Sequence, residues 1–166
     1  MNIAIANRQR TKKINSRRLR QIVNALLAAL EISEAELGIV LVSAKEMTRV
    51  NRQFLQHEGS TDVITFDYSD SAGDDLRSLK NKKPEPPHVG TDSHIYGELF
   101  ICVDEAVVQA KQFGTRWQSE VLRYVVHGVL HLLGHDDLKP ALRRKMKLEE
   151  NRRLRELTRR FALSKL

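Results

Sequence analysis

The fold is most constrained by the segment from Trp117 to Leu133, because apolar side chains occur on every side of the helix that it predicts. A helix without a polar face is stable only when other elements cover it on all sides. The chain has 166 residues, which is enough for one sizeable core. We therefore predict a single domain, residues 1–166, with this helix at its centre. Its apolar members are Val121, Leu122, Val125, Val126, Val129, Leu130, Leu132 and Leu133.

Hydrophobic periodicity predicts the elements that cover the central helix. Strands are predicted at residues 2–6, 37–42, 61–66 and 95–103, and further helices at residues 16–30, 44–54, 104–113 and 141–161. Residues 67–93 are rich in Asp, Ser, Lys and Pro and predict a long polar mobile loop. A connection of this length is either a flexible insertion or a lid over a site, and we favour the insertion.

Several sequence features indicate a cytoplasmic protein with no membrane partner. The chain contains no apolar run near the roughly 20 residues that a bilayer span requires. Its start lacks the basic segment and apolar core of a secretory signal. The single cysteine, Cys102, forms no internal disulfide and fits a reducing compartment. Any bound metal therefore has to use histidine and carboxylate ligands.

Positive charge is concentrated at the two ends of the chain. Residues 1–20 hold seven cations and no acid, and residues 139–166, the basic C-terminal helix and tail, hold eleven cations and three acids. An apolar stripe packs this helix on the body and leaves Arg143, Arg144 and Arg152 outside. Such charge attracts a polyanion such as RNA, although a solvated helix surface explains it equally well. We interpret the three arginines as RNA-binding residues.

A metal centre is predicted at the end of the central helix. His127 and His131 are four residues apart, so both imidazoles project from one face, about 6 Å apart along the axis, and reach one ion. Gly134 can adopt a positive φ, end the helix and let the chain double back over the two rings. His135 and Asp137 are then candidates for the third ligand. Asp137 is the better placed, and we predict the ligand set His127, His131 and Asp137.

The spacing His-x-x-x-His-x-x-Gly-x-x-Asp is typical of helix-turn zinc sites in which three protein ligands leave a fourth position for water. Zinc is the first choice of ion, and nickel or another late transition ion fits nearly as well. Such an ion turns bound water into a nucleophile at neutral pH. Zinc proteases with this spacing carry Glu directly after the first His, where this chain has Gly128. This difference disfavours peptide hydrolysis.

Two further sequence blocks accompany the histidine motif, namely Asn51 with Thr61-Asp62-Val63-Ile64-Thr65-Phe66, and Gly97-Glu98-Leu99. In this order, over roughly residues 35–150, the blocks resemble the YbeY family of bacterial rRNA-maturation metalloendoribonucleases. The signature of that family is His-Gly-x-Leu-His-Leu-x-Gly-x-Asp-His, and residues 127–136 reproduce it up to its last position.

The resemblance implies an α/β (α+β) fold in which a small mixed β-sheet packs against about five helices, with a three-ligand metal site at the end of the central helix. It also implies a Zn²⁺-dependent, single-strand-specific endoribonuclease that acts in 3′-end maturation of small-subunit rRNA and in ribosome quality control. The partners implied are single-stranded RNA, rRNA, small ribosomal subunit proteins and a ribosome-associated GTPase.

Two positions depart from the family pattern. The third ligand of the family is His, whereas Asp137 is a carboxylate, which still binds zinc but lowers the Lewis acidity of the ion. The family also has an Arg four residues after the Asn of the first block, which the resemblance assigns to the RNA phosphate, and this position is Leu55. Arg52 or Arg49 is expected to reach the same cleft instead.

Glu98 is predicted within an apolar strand, where an ionised side chain is costly unless it is paired. It therefore either meets a cation, as a general base or a partner of a metal ligand, or faces solvent at a sheet edge. His127, His131, Arg52 and Glu98 are together the predicted catalytic residues.

Three functions are compatible with these residues. The first is the zinc-dependent endoribonuclease. The second is a ribosome- or RNA-associated binding protein with a structural metal and weak or no catalysis, which Leu55 favours. The third is metal-dependent hydrolysis of a peptide or small molecule, which Gly128 disfavours.

Overall fold

The structure is a computed structural model that describes residues 1–56, 58–69 and 94–166. Within these ranges the strands are β1 (Asn2–Asn7), β2 (Glu34–Val42), β3 (Val63–Asp67) and β4 (His94–Cys102). The α-helices are α1 (Ser16–Ala29), α2 (Ala44–Val50), α3 (Val103–Phe113), α4 (Trp117–Leu132) and α5 (Pro140–Arg160). None of the helices in the described part of the chain is long and apolar enough to cross a membrane.

The four strands form one mixed sheet in the order β1-β2-β4-β3. Strands β1, β2 and β4 run parallel, and β3 runs antiparallel to β4. Parallel neighbours need a crossover connection, which α1 provides between β1 and β2. The predicted fold class, a small mixed sheet packed against about five helices, is confirmed.

The predicted loop 67–93 begins later than the sequence indicated. Asp67 still pairs with Gly97 in the β3–β4 ladder, and the N–H of Tyr68 donates to the carbonyl of Tyr96 at 2.8 Å. Pairing with β4 therefore holds the chain through residue 68. The rest of the prediction, from residue 70 to residue 93, lies outside the described residues.

Helix α4 lies against the side of the sheet that Gly97 and Leu99 face. A Cβ atom at Gly97 would lie 2.6 Å from the carbonyl oxygen of Phe66 and 2.7 Å from Leu132 Cδ2. A Cβ atom at Gly128 of α4 would lie 2.7 Å from Leu99 Cδ2. The absence of a side chain at both glycines therefore lets the helix and the sheet approach closely.

The main core fills the space between this side of the sheet and helices α1, α4 and α5. The apolar residues of α4 are buried on several sides, which confirms it as the central helix; they include Val121, Leu122, Val125, Val126, Val129 and Leu130. A smaller core on the other side of the sheet lies under α2. It contains Val40, Val42, Met47, Val50, Ile64 and Cys102.

The single helix predicted over residues 44–54 is divided in the structure. Helix α2 ends at Val50, and a π-helical turn covers Asn51–Leu55 before Gln56 adopts φ 56°. The buried Asn51 amide donates to the carbonyl of Gly59 at 3.0 Å. The side chain of Asn51 thus ties the widened turn to the loop that precedes β3, a contact that helical periodicity does not reveal.

The two basic ends of the chain meet in the structure. The N–H of Asn15 donates to the carbonyl of Leu166 at 2.7 Å. The guanidinium of Arg18 lies 4.9 Å from the centre of the Phe161 ring. Helix α5 therefore extends from this meeting point, across α1 and α4, to the end of α4 that carries the histidines.

The close approach of α4 to the sheet is testable. We expect Gly97→Ala to lower the free energy of unfolding by about 1–3 kcal/mol, as overpacking of a core does, because its Cβ meets a backbone oxygen. Gly38→Ala is the matched control, since its Cβ would lie 3.1 Å from Glu98 Cγ, an atom of a side chain that can rotate away. Urea denaturation measures both variants, and equal losses would contradict the packing described.

Candidate metal centre

Helix α4 presents His127 and His131 in its last two turns, and the chain then reverses. Gly134 has φ 81°. Its N–H donates to the carbonyl of His131 at 2.9 Å, and the N–H of His135 donates to the carbonyl of Leu130 at 3.0 Å. These two bonds form a Schellman motif, which a glycine in the left-handed region favours. The predicted helix end at Gly134 is therefore confirmed, and the reversal brings the following residues back towards the two rings.

Each imidazole is held through its Nδ1 atom by an oxygen that accepts a hydrogen bond. His127 Nδ1 lies 3.1 Å from Glu150 Oε2, and His131 Nδ1 lies 3.0 Å from the backbone oxygen of His135. Because neither oxygen is a donor, a neutral ring at either position would place its proton on Nδ1 and keep a free lone pair on Nε2. Burial, together with the neighbouring His127, lowers the pKa of His131 and so favours the neutral ring that a metal binds.

The two free lone pairs lie side by side. The Nε2 atoms of His127 and His131 are 3.0 Å apart. Two neutral acceptors at this distance repel each other unless a cation lies beside both. Two nitrogen ligands of tetrahedral zinc, each about 2.0–2.1 Å from the ion, are separated by about 3.3 Å, close to the observed distance. The residues present therefore fit a metal ion.

Asp137 completes the group. One ligand atom from each of His127, His131 and Asp137 lies within 4.8 Å of the others. All three residues are partly buried, so a bound ion would be shielded from part of the solvent while remaining reachable. The structure thus brings together the three ligands that the sequence predicted.

Glu150, a buried acid on α5, forms the contact with Nδ1 of His127. Its side chain is 4% exposed, and its Oε1 accepts from Arg123 Nη1 at 2.6 Å and from Lys147 Nζ at 3.0 Å. Burial by itself raises the pKa of Glu150, but hydrogen bonds from His127, Arg123 and Lys147 outweigh burial and lower the pKa to about 2. The carboxylate is therefore ionised at neutral pH.

An open cavity of about 240 Å³ adjoins the ligands. Arg143 lines it, and its Nε donates to the backbone oxygen of Asp137 at 3.0 Å, so this side chain also holds the ligand turn. Arg143 and Lys147 place positive charge in the cavity beside His127 and Asp137. The lining residues are Asp62, Arg123, Tyr124, His127, Asp137, Arg143, Met146, Lys147 and Glu150.

The structure places Arg52 and Leu55 away from the lining of this cavity. Arg52 Nη2 lies 2.9 Å from Glu58 Oε2, and both side chains are exposed. Leu55 is 47% exposed at the end of the π-helical turn. The structure therefore does not bring Arg52 together with the three ligands.

Glu98 lies on the side of the sheet opposite to α4, because its neighbour Gly97 faces that helix. Its Oε2 accepts from the Tyr68 hydroxyl at 3.4 Å, and it lines a separate cavity with Tyr96 and Glu36. The polar partner of Glu98 in the structure is this phenol, whereas the sequence predicted either a cation or solvent at a sheet edge. The sheet separates Glu98 from the three predicted metal ligands.

The three predicted RNA-binding arginines lie along the exposed side of α5. Arg143 reaches the cavity, and Arg144 is exposed at the start of the helix. Arg152 lies further along, with Nη1 3.7 Å from Glu149 Oε2 and Nε 3.4 Å from Glu156 Oε1.

Glu150 is the residue of this site that sequence reasoning missed. The apolar members of α5 define its buried stripe, and Glu150 lies within that stripe, one turn after Met146 and one turn before Leu154. An acid in a buried stripe requires a partner, and this signal is present in the sequence. Its partners Arg123 and His127, both on α4, become visible only when α5 is packed on α4.

The role of Asp137 as a metal ligand can be tested by comparing it with the adjacent Asp136. We expect Asp137→Asn to weaken zinc binding at least tenfold, because an amide is a much poorer zinc ligand than a carboxylate. Asp136→Asn is the matched control, since Asp136 Oδ1 accepts the N–H of Leu138 at 2.9 Å and Asp136 is not a member of the predicted ligand group. Competition with a chromogenic chelator measures both dissociation constants, and unchanged binding in Asp137→Asn would remove this ligand from the site.

Comparison with known proteins points to one family. The family model described as Endoribonuclease YbeY matches residues 4–158. The Endoribonuclease YbeY of Salinibacter ruber is 30% identical over 152 residues, which cover 92% of this chain and 89% of the relative. That of Chlorobium luteolum is 30% identical over 159 residues, covering 96% and 100%. That of Anaeromyxobacter dehalogenans is 37% identical over 135 residues, covering 81% and 61%.

A solved structure supports the fold independently. The solution structure of a Thermotoga maritima protein superposes with a TM-score of 0.61 at 24% identity, covering 93% of this chain and 88% of that one. At this identity the likeness concerns the fold alone. Since the family model spans nearly the whole chain and relatives of 30% identity span most of it, the chain belongs to the endoribonuclease YbeY family.

Proposed function

We propose that this chain is a Zn²⁺-dependent endoribonuclease that cleaves single-stranded RNA, acts in 3′-end maturation of small-subunit rRNA and serves ribosome quality control in the cytoplasm. Membership of the endoribonuclease YbeY family supports a hydrolase of RNA phosphodiester bonds. The observation that carries the proposal is the pair of free Nε2 lone pairs of His127 and His131, 3.0 Å apart, with Asp137 within reach.

The number of ligands supports catalysis over a structural role for the ion. Structural zinc sites are closed by four protein ligands, whereas catalytic sites use three and keep the fourth position open. Among the described residues the group consists of two histidines and one aspartate. When bound, zinc acts as a Lewis acid and lowers the pKa of a bound water towards neutrality.

The protein itself supplies the charge that binds the phosphodiester. Arg143 and Lys147 line the cavity next to His127 and Asp137. We assign them to the phosphate oxygens, where they hold the scissile group against the ligands and offset its negative charge. Arg143 is anchored by its bond to the Asp137 backbone, so its guanidinium is already oriented before RNA binds.

The exposed side of α5 extends the binding surface beyond the cavity. Arg143 marks its start, and Arg144 and Arg152, which follow it along the helix, are proposed to contact the RNA backbone beyond the cavity. The resemblance to the family supports rRNA as the substrate, and it supports small ribosomal subunit proteins and a ribosome-associated GTPase as partners.

The catalytic roles of Arg52 and Glu98 remain predictions. Leu55 favours the second function, an RNA-associated binding protein with a structural metal and weak or no catalysis. It occupies the position of the family's arginine, and it exposes 47% of its surface without offering a charge to RNA. Arg143 counts against this alternative, because it provides a cation within the cavity itself.

Cleavage of RNA tests the two functions. We expect highly purified, zinc-loaded protein to cleave a single-stranded rRNA fragment, and we expect a chelator or His127→Ala to abolish cleavage because each removes the ion. His135→Ala is the matched control, since His135 is exposed and contributes its backbone oxygen to His131.

No cleavage by folded, zinc-loaded protein would contradict the enzyme and favour the binding protein. Restoration of cleavage by Leu55→Arg would then identify the missing cation. Unfolding on chelation, followed by circular dichroism, would likewise indicate a structural ion.

The salt dependence of RNA binding tests the surface of α5. In a His127→Ala background that prevents cleavage, Arg144→Gln and Arg152→Gln are each expected to reduce the slope of log affinity against log salt by about 0.7 for each phosphate that the variant no longer neutralises. Lys111→Gln is the control, because Lys111 lies in the last turn of α3, beside the start of α4 and away from its histidines. Equal slopes in all variants would exclude α5 from the RNA interface.

A further inference from the structure

We propose that Glu150 is a positioning residue that fixes the tautomer and the orientation of His127, so that the metal centre depends on a side chain of the C-terminal helix. The inference rests on the proposed metal centre and adds a residue that is not one of its three predicted ligands. It concerns the contact between Glu150 Oε2 and His127 Nδ1, 3.1 Å apart.

The two oxygens of Glu150 have different partners. Oε2 faces His127, whereas Oε1 accepts from Arg123 Nη1 at 2.6 Å and from Lys147 Nζ at 3.0 Å. Arg123 and His127 are four residues apart on α4, so they lie one turn apart on the same face. One carboxylate from α5 therefore bridges two successive turns of α4, which prevents it from rotating away from the imidazole.

The surrounding charges keep Glu150 an acceptor. A buried ionised carboxylate is costly unless it is paired and hydrogen-bonded, and this side chain is 4% exposed. Arg123 and Lys147 supply the positive charge that pairs with it. Arg123 is itself held by Glu120, whose Oε2 lies 3.4 Å from Arg123 Nε. An ionised carboxylate can only accept, so His127 has to place its proton on Nδ1 and direct the Nε2 lone pair at the ion.

The two histidine ligands are oriented by different means. His131 donates to the backbone oxygen of His135, which the turn at Gly134 fixes and no side-chain substitution removes. His127 relies on Glu150 alone among the described residues for its Nδ1 contact. Removal of the Glu150 carboxylate should therefore release one ligand and leave the other in place. Partners of this kind typically contribute 10–100-fold to metal affinity.

If Glu150 only stabilises the fold, its substitution has different effects from those expected of a positioning residue. Glu150 also joins α5 to α4 through Arg123, and such an ion pair stabilises the fold whether or not the metal centre exists. In that case its removal lowers the stability of the metal-free protein and leaves the zinc dissociation constant unchanged.

The test compares Glu150→Gln with Glu149→Gln in the full chain. Gln preserves the size of the side chain but removes the charge and can present an N–H to the ring. Glu149 is the adjacent residue of α5, and it pairs with Arg152 and Arg153 without contacting a predicted ligand. Three readouts are needed: the zinc dissociation constant by chelator competition, the thermal unfolding temperature without metal, and the ring ¹⁵N chemical shifts of His127 in the metal-free wild type.

We expect a 10–100-fold weaker zinc affinity in Glu150→Gln, wild-type affinity in Glu149→Gln, and an Nδ1-protonated His127 in the wild type. Wild-type affinity in folded Glu150→Gln would overturn the inference while leaving the metal centre intact. If Glu150→Gln does not fold, an Nε2-protonated His127 in the metal-free wild type overturns it and an Nδ1-protonated ring upholds it. Absence of zinc binding by the wild type would overturn the proposed metal centre, and the inference with it.

Discussion

The close packing of α4 against the sheet fixes the position of the helix that carries the two histidines of the candidate site. Two glycines, one on each element, allow Leu132 and Leu99 to occupy space that side chains would otherwise fill. Because the interior is close-packed, the axis of α4 can neither rise from the sheet nor rotate without disrupting this packing. The last turns of α4 are therefore held at one place over β4, and this fixes the position of the two histidines in those turns.

The site is assembled from three pieces that are separated in the sequence but meet at the end of α4. The helix supplies His127 and His131, the turn after Gly134 supplies Asp137 and a backbone acceptor, and α5 supplies Glu150. Each imidazole is held on one nitrogen by an oxygen and keeps the other nitrogen free. A helical histidine pair held in this way is suited to bind a metal ion, because an unsupported imidazole rotates and exchanges its tautomer.

Local patterns were sufficient for most of the fold. The apolar surface of α4, the Schellman turn at Gly134 and the strand alternation of β4 all follow from interactions between residues close in sequence. Patterns failed where a distant group intervened, as at Asn51, whose amide binds Gly59 and accompanies the change from α2 to a π-helical turn. The predicted loop boundary is too early for a related reason, since pairing with Tyr96 extends the ordered chain to Tyr68.

The sequence by itself predicted which three residues the structure brings together, because a four-residue spacing on a helix and a glycine reversal specify which side chains share one face and one turn. The tertiary structure alone decided which residues support those ligands. It put Glu150 against His127, brought Arg143 to the backbone of Asp137, and placed Glu98 across the sheet. The reason is physical: ligand geometry depends on the backbone within one helical turn, whereas a buried carboxylate and its cations come from different helices. Their meeting depends on how those helices pack, which no local spacing records.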